Sequence, residues 1–284
     1  MNFKKRMDLP EIRRFLSAVR TRDSPGGVGE ARASLASHKS TAVACANQAL
    51  AKEIWCLEQT LTTQTHYLDA FVNMRSAQFY DAWCALEQAE VSLFFLDHHF
   101  RDLNDRYSLE FIRTQISQFQ SAFPYRMFFS PGMIHREKEC SICRTRLSIR
   151  NPCGHRAGEI YDGEMCSRII TKIDLTEVSL VTNPRNKYAV GFPRGKAGSP
   201  NDGYDYSLVK SIVERLQSPF DRWTCRFNEE RVPHSRFPNV GRNHDCPCGS
   251  KSKYKRCCLN ESGVRRSHCH VEFEKDTEGG RFVL

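Results

Sequence analysis

Apolar residues recur at steps of three and four through the first part of the chain. Leu9, Ile12, Phe15, Leu16 and Val19 share one helical face, with Arg13, Arg14 and Arg20 off it, so the spacing predicts a basic amphipathic helix. A helix of that kind lies on a membrane surface or docks on the body of its own protein, and docking is the reading we adopt. Ser24-Pro-Gly-Gly27 reads as a break. From 26 to 123 there is no proline and the helical spacing is sustained. Phe79, Ala82, Trp83, Leu86, Ala89, Leu93, Leu96 and Phe100 make one stripe; Leu109, Ile112, Ile116, Phe119 and Phe123 make a second. The pattern predicts an antiparallel helical bundle. Cys45, Cys56 and Cys84 fall among its apolar residues and are expected to be small core side chains. His98 and His99 are adjacent on this helical stretch, point about 100° apart, and do not readily share one ion.

Pro124 and Pro131 end the helical pattern. Short alternating runs follow, Glu177–Val181 and Tyr188–Phe192, which predict strands. Residues 205–217 return to helical spacing, with Tyr206, Val209, Ile212, Val213 and Leu216 on one side. Trp223–Phe227 and His268–Phe273 read as further strands. The expected class is therefore α+β: an N-terminal helical bundle, then a mixed α/β region. Its segments are 1–25, the basic N-terminal segment; 26–130, the bundle; 131–240, a cysteine-containing α+β domain; and 241–284, a small C-terminal module.

Composition narrows the class. Of 284 residues, 40% are hydrophobic and 11% aromatic, which is too many for a disordered chain. No apolar run approaches the roughly 18 residues of a membrane helix, and the N-terminus lacks the apolar core of a signal peptide. The expected location is cytoplasmic. In that reducing compartment the 13 cysteines are metal ligands or core thiols.

The cysteines cluster. Cys140, Cys143, Cys153 and Cys166 form one group, with His155 beside Cys153; Cys246, Cys248, Cys257 and Cys258 form another; Cys225 and Cys269 are left over. Zinc takes four tetrahedral ligands, and each group supplies close pairs that a short loop can bring together. In the first group five candidates compete for four places: Cys140, Cys143, Cys153 and His155, with Cys166 either replacing one of them or packing nearby. In the second, Gly249 permits a tight turn after the first pair. We expect two structural Zn²⁺ ions. A Zn(Cys)4 centre carries −2 and a Zn(Cys)3His centre −1, so two filled sites reduce the formal charge of +9 by three. Lys251, Lys253, Lys255 and Arg256 have a local reason beside the more negative centre. The remaining charge is compatible with a protein, ribosomal, nucleic-acid or anionic-lipid partner.

The run Arg242-Asn-His-Asp-Cys-Pro-Cys-Gly-Ser-Lys-Ser-Lys-Tyr-Lys-Arg-Cys-Cys258 resembles the SEC-C motif, named for the extreme C-terminus of the SecA translocation ATPase and present in many bacterial proteins. That resemblance covers about 20 residues. It implies zinc ligation by Cys246, Cys248, Cys257 and Cys258 and a docking role toward a chaperone, the ribosome or anionic lipid. It does not extend to the motor. Gly191-Phe-Pro-Arg-Gly-Lys196-Ala197 is one residue short of a phosphate-binding loop and lacks its hydroxyl.

The sequence carries three further candidate chemistries. Asp174–Pro184 resembles a segment of phage prohead serine proteases, which would make Ser179 a nucleophile in a hydrolase. In the strand reading, which we adopt, Ser179 alternates with Val178 and Leu180. Tyr254, between Lys253 and Lys255, could stack on a nucleobase. His268-Cys269-His270 could add ligands, although on a strand the two histidines face away from the cysteine. The sequence reads best as a non-enzymatic zinc-binding adaptor.

Overall fold

The computed structural model describes residues 6–20, 27–195, 202–274 and 280–283. The chain is α+β, with its long helices first. It divides into two compact units, one reaching Glu214 and including Ser218–Phe220, the other Arg215–Gln217 with Asp221 onward. The segments 1–25, 26–130 and most of 131–240 fall in the first, and 241–284 falls in the second.

In the first unit, α1 (Leu9–Ala18) begins with a capping box: Asp8 accepts from the Glu11 amide and Glu11 returns the bond to Asp8 N. Ile12, Leu16 and Val19 are fully buried, so the helix docks on the body and its apolar face is not available to a membrane surface. Of the expected break at 24–27, only Gly27 lies within the described residues. Helices α2 (Val28–Ala44), α3 (Gln48–Arg75), α4 (Phe79–Leu96) and α5 (Leu109–Ala122) follow. α3 is the central helix, packed on α2, α4 and α5, and Gln64 on it donates to the Leu16 and Tyr107 carbonyls. Both expected apolar stripes are buried apart from their ends, Phe79 and Phe100.

The helical stretch is interrupted more than proline content implies. Residues 97–108 are not helical. Asp102 accepts from the Arg106 and Tyr107 amides and Asp105 from the Glu110 amide, so side-chain carboxylates replace helical carbonyls there. α2 ends beside Cys45, which is exposed rather than in the core, while Cys56 is buried and Cys84 is half-buried.

After α5 the chain forms a long two-stranded antiparallel ribbon, β1 (Phe128–Cys140) with β4 (Arg168–Val181). The expected strand 177–181 is only its far end. Pro131 is accommodated opposite Val178 in this ribbon, next to a bulge at Gly132/Met133. Residues 188–192 form no strand, only a bridge from Val190 to Phe128. That segment is held instead by α4, where Trp83 Nε1 donates to Lys187 O and Tyr80 Oη to Tyr188 O. Helix α6 (Ser207–Arg215) buries Leu208, Val209, Ile212 and Val213.

Between β1 and β4 a small hairpin, β2 (Ile160–Tyr161) and β3 (Glu164–Met165), turns at Asp162-Gly163 with both residues at positive φ. It is fastened to the helices. Gln48 and Asp162 exchange two hydrogen bonds, Lys39 sits 2.7 Å from both Glu58 and Glu164, and His99 Nε2 lies 2.6 Å from Gly158 O. The His99 ring stands edge-on to Trp55. Thus α2, α3 and the end of α4 grip the loop that carries the first cysteine group.

The second unit is built on β5 (Trp223–Val232), β6 (Val264–Phe273) and β7 (Gly280–Val283). β5 and β6 pair without a bulge from Trp223 opposite Phe273 to Val232 opposite Val264. Residues 233–263 form the connection between them, and the second cysteine group lies in it. Among the described residues no helix is long and apolar enough to cross a membrane.

The hairpin grip can be tested at Gly163. Its φ is +69°, and an added Cβ would lie 2.6 Å from Lys39 Cδ and 3.3 Å from Ala51 O. In urea unfolding, Gly163→Ala should destabilise the protein by more than the roughly 1–2 kcal/mol that the left-handed backbone costs, because the Lys39 stem packed there must also give way. Unchanged stability would mean that the hairpin is not fastened as described.

Candidate metal centres

The first group sits where the ribbon meets the gripped loop. Cys140 ends β1, and Cys143 follows in a tight turn closed by Arg144 N to Cys140 O at 2.9 Å and Cys140 N to Thr145 O at 3.0 Å. The next pair, Cys153 and His155, lies in the connection to β2. The ligand atoms of Cys140, Cys143, Cys153 and His155 all fall within 4.8 Å of one another. Cys166, just before β4, is buried with its sulfur 3.8 Å from that of Cys140, but it is outside this mutual set. Arg168 braces the arrangement, donating to His155 O at 2.8 Å and approaching Cys166 Sγ at 3.9 Å.

The second group is built almost entirely from backbone turns. Cys246 N donates to Ser252 O at 2.7 Å, Gly249 N to Cys246 O at 3.0 Å, and Tyr254 N to His244 O at 2.8 Å. Gly249 has φ +82° with open space where a Cβ would stand, so the turn uses its conformational freedom and not its small size. Two single 3₁₀ turns, Tyr254–Arg256 and Cys258–Asn260, then return Cys257 and Cys258 to the first pair. Cys246, Cys248, Cys257 and Cys258 have their sulfurs within 4.8 Å of one another.

Both donor sets fit a zinc ion. Sulfurs at 2.3 Å from a tetrahedral centre lie about 3.8 Å apart. The Cys248–Cys257 and Cys257–Cys258 sulfurs are 3.5 Å and 3.7 Å apart. In the first group, His155 Nδ1 is buried without a hydrogen-bond partner, the condition of a ring nitrogen that needs a ligand. The electrostatics favour the thiolate at two sulfurs in each set, Cys140 and Cys143 in the first and Cys248 and Cys257 in the second. The Cys143 amide, joined by that of Ile142, pushes Cys140 down to about 6. The Ser250 hydroxyl, joined by its amide, does the same for Cys248. Burial holds Cys246 up at about 12, so its proton would leave on metal binding.

Around the second group the sulfurs are also part of a buried cluster. Cys246, Cys258, Tyr254 and Val264 are buried together, with Phe237, Val240 and Leu259 packed around them. The Tyr254 hydroxyl meets His234 Nδ1 at 2.5 Å, and His234 Nε2 lies 2.9 Å from Glu261 O. Tyr254 is only 3% exposed, so it does not offer a face for a nucleobase; the reading of it as a stacking platform is corrected. Lys251, Lys253 and Arg256 around it are exposed and Lys255 is half-buried.

The remaining candidates are placed apart. Ser179 on β4 pairs with Ser130, and His135 pairs with Ile173, six positions and roughly 20 Å along the strand from Ser179. His98 Nδ1 is occupied by Phe94 O and His99 Nε2 by Gly158 O. His268 is buried beside Glu230 and His270 faces Glu272, so the two histidines do not converge. The sequence reading missed the β2–β3 hairpin and the ribbon's full length. The Asp162-Gly163 dipeptide was the available signal for the hairpin.

Comparison with known proteins gives short local matches. The chain is 36% identical over 66 residues to protein translocase subunit SecA of Carboxydothermus hydrogenoformans, covering 22% of this chain and 8% of that protein. It is 42% identical over 52 residues to SecA of Trichlorobacter lovleyi, covering 18% and 6%. Against SecA of Nitratidesulfovibrio vulgaris it is 65% identical over 26 residues, covering 9% and 3%. The chain thus spans less than a tenth of the length of these relatives. The likeness and the second cysteine group fit a SEC-C-like module. No protein-family model matches the chain, and no solved structure gives a significant match.

Elemental analysis of protein purified without chelator should find two zinc ions per chain, and His155→Ala should lower that to one. The variant should lose protease resistance around 131–200 and keep the C-terminal ion. Loss of both ions would mean that the two sites are coupled.

Proposed function

We propose that the chain is a zinc-binding adaptor of the cytoplasm that docks a protein partner, such as a ribosomal or other acidic surface, through its C-terminal SEC-C-like module. The observation that carries this reading is the convergence of Cys246, Cys248, Cys257 and Cys258 within 4.8 Å in a module whose own core is those sulfurs and a few neighbours. A complete four-thiolate set leaves no open position for a substrate, so the ion would be structural. It would hold Lys251, Lys253 and Arg256 on the surface of a rigid knuckle. The first set, with three sulfurs and one imidazole, would staple the ribbon to the loop gripped by the helices.

The reading is of a binding protein and not a hydrolase. Ser179 faces Ser130 across the ribbon, with no imidazole at its paired position. Nucleic acid is the second reading, supported by the same basic residues. Without Tyr254 it would rest on phosphate contacts alone, and such binding weakens steeply with salt.

Cys257→Ser tests the proposal. A serine hydroxyl stays protonated at neutral pH and ligates zinc poorly. Zinc supplies on the order of 10 kcal/mol to the folding of modules this small, so 242–260 should unfold locally while the helical circular-dichroism signal persists. Partner capture from lysate should fall sharply and be insensitive to nuclease. Unchanged capture by the zinc-depleted variant would move the docking surface elsewhere. Capture abolished by nuclease would favour the nucleic-acid reading.

A further inference from the structure

The two cysteines that belong to neither metal group meet each other. Cys225 on β5 lies opposite Val271, and Cys269 on β6 lies opposite Phe227, so the pair sits on one face of the sheet at diagonal positions. Diagonal neighbours of an antiparallel pair ordinarily meet only through aromatic or long side chains. Here the sulfurs are 2.6 Å apart. The sulfur pairs within and beside the metal groups stand at 3.5–3.8 Å, the spacing of atoms that share a ligand or simply touch. Cys225 and Cys269 are closer than that and approach the 2.05 Å of a covalent bond. Both are buried, Cys269 completely and Cys225 to all but 8%.

We propose that Cys225 and Cys269 are a redox pair that closes a disulfide between β5 and β6. The position gives the bond a consequence. Everything from 233 to 263, including all four sulfurs of the second metal group, lies in the loop that the bond would close. A bridge at the base would hold the two strands together when the metal is lost, because it removes chain entropy from the opened loop. The oxidant is a small-molecule disulfide. Cys225, the more exposed thiol, attacks it as thiolate and releases one small thiol. Cys269 then gives up its proton to the second departing thiolate and attacks the Cys225 sulfur. Two protein thiols are oxidised by two electrons, and one small disulfide is reduced to two thiols.

The test uses the full-length, zinc-loaded chain, in which ligation shields the cluster sulfurs. After incubation with oxidised glutathione, reactive thiols are alkylated and the protein is digested without reduction. Peptide mapping should recover a crosslinked pair containing Cys225 and Cys269, cleaved by dithiothreitol. Cys269→Ala should instead accumulate a glutathione adduct on Cys225. Recovery of both cysteines as singly alkylated peptides from the wild-type chain overturns the proposal. So does pairing of either one with a cluster cysteine. The wild-type map decides the question even where the variant fails to fold.

Discussion

Four donor atoms must reach one point, and in the C-terminal module little else holds the chain in place. The buried cluster of the connection between β5 and β6 is two of the ligands themselves, Cys246 and Cys258, with Tyr254 and Val264 at the start of β6. A connection of this size cannot bury enough apolar surface to offset the entropy of its turns. Convergence of the sulfurs therefore does what a hydrophobic core does in a larger domain. The backbone turns at Cys246, Gly249 and Tyr254 serve that convergence, and the β5–β6 pair supplies the base from which the connection departs and to which it returns.

The first cysteine group solves the same problem differently. Its ligands come from a ribbon end and from a loop, and the loop is fixed by an external scaffold. Lys39 on α2, itself held by Glu58 on α3, Gln48 on α3 and His99 beyond α4 reach the β2–β3 segment or the residue that leads into it. The helices thus acquire a function that their own pattern does not disclose: they present a platform to which a metal loop is bolted by charge pairs and hydrogen bonds. Lys39 is the hub, because it satisfies two carboxylates that would otherwise repel each other across the junction.

Arginine braces the electrostatics of this centre. Three thiolates and one imidazole around a divalent ion leave a net negative charge. Arg168 lies against it, on the first residue of β4, with its guanidinium divided between the His155 carbonyl and the Cys166 sulfur. Cys166 then reads as a neighbour that fills the space beside Cys140 and shares the same cation, while His155 takes the fourth position in the mutual set.

By itself the sequence determined the class α+β, the helical stripes, the four cysteines of the second group and the five candidates of the first, because each rests on spacing along a few turns of chain. A step of three or four residues places side chains on one helical face, and one or two residues between cysteines place sulfurs within reach of one ion, whatever the rest does. Only the tertiary structure decided the matters that depend on residues distant in sequence. It separated Cys166 from the mutual set of four, buried Tyr254 among the sulfurs, and used Asp102 and Asp105 to break a helix that lacks proline. It also brought Cys225 and Cys269 together across 44 residues. Local pattern states which face a side chain is on, but the neighbour it meets there is set by the register of long-range pairing and by packing, and neither is a property of any short stretch.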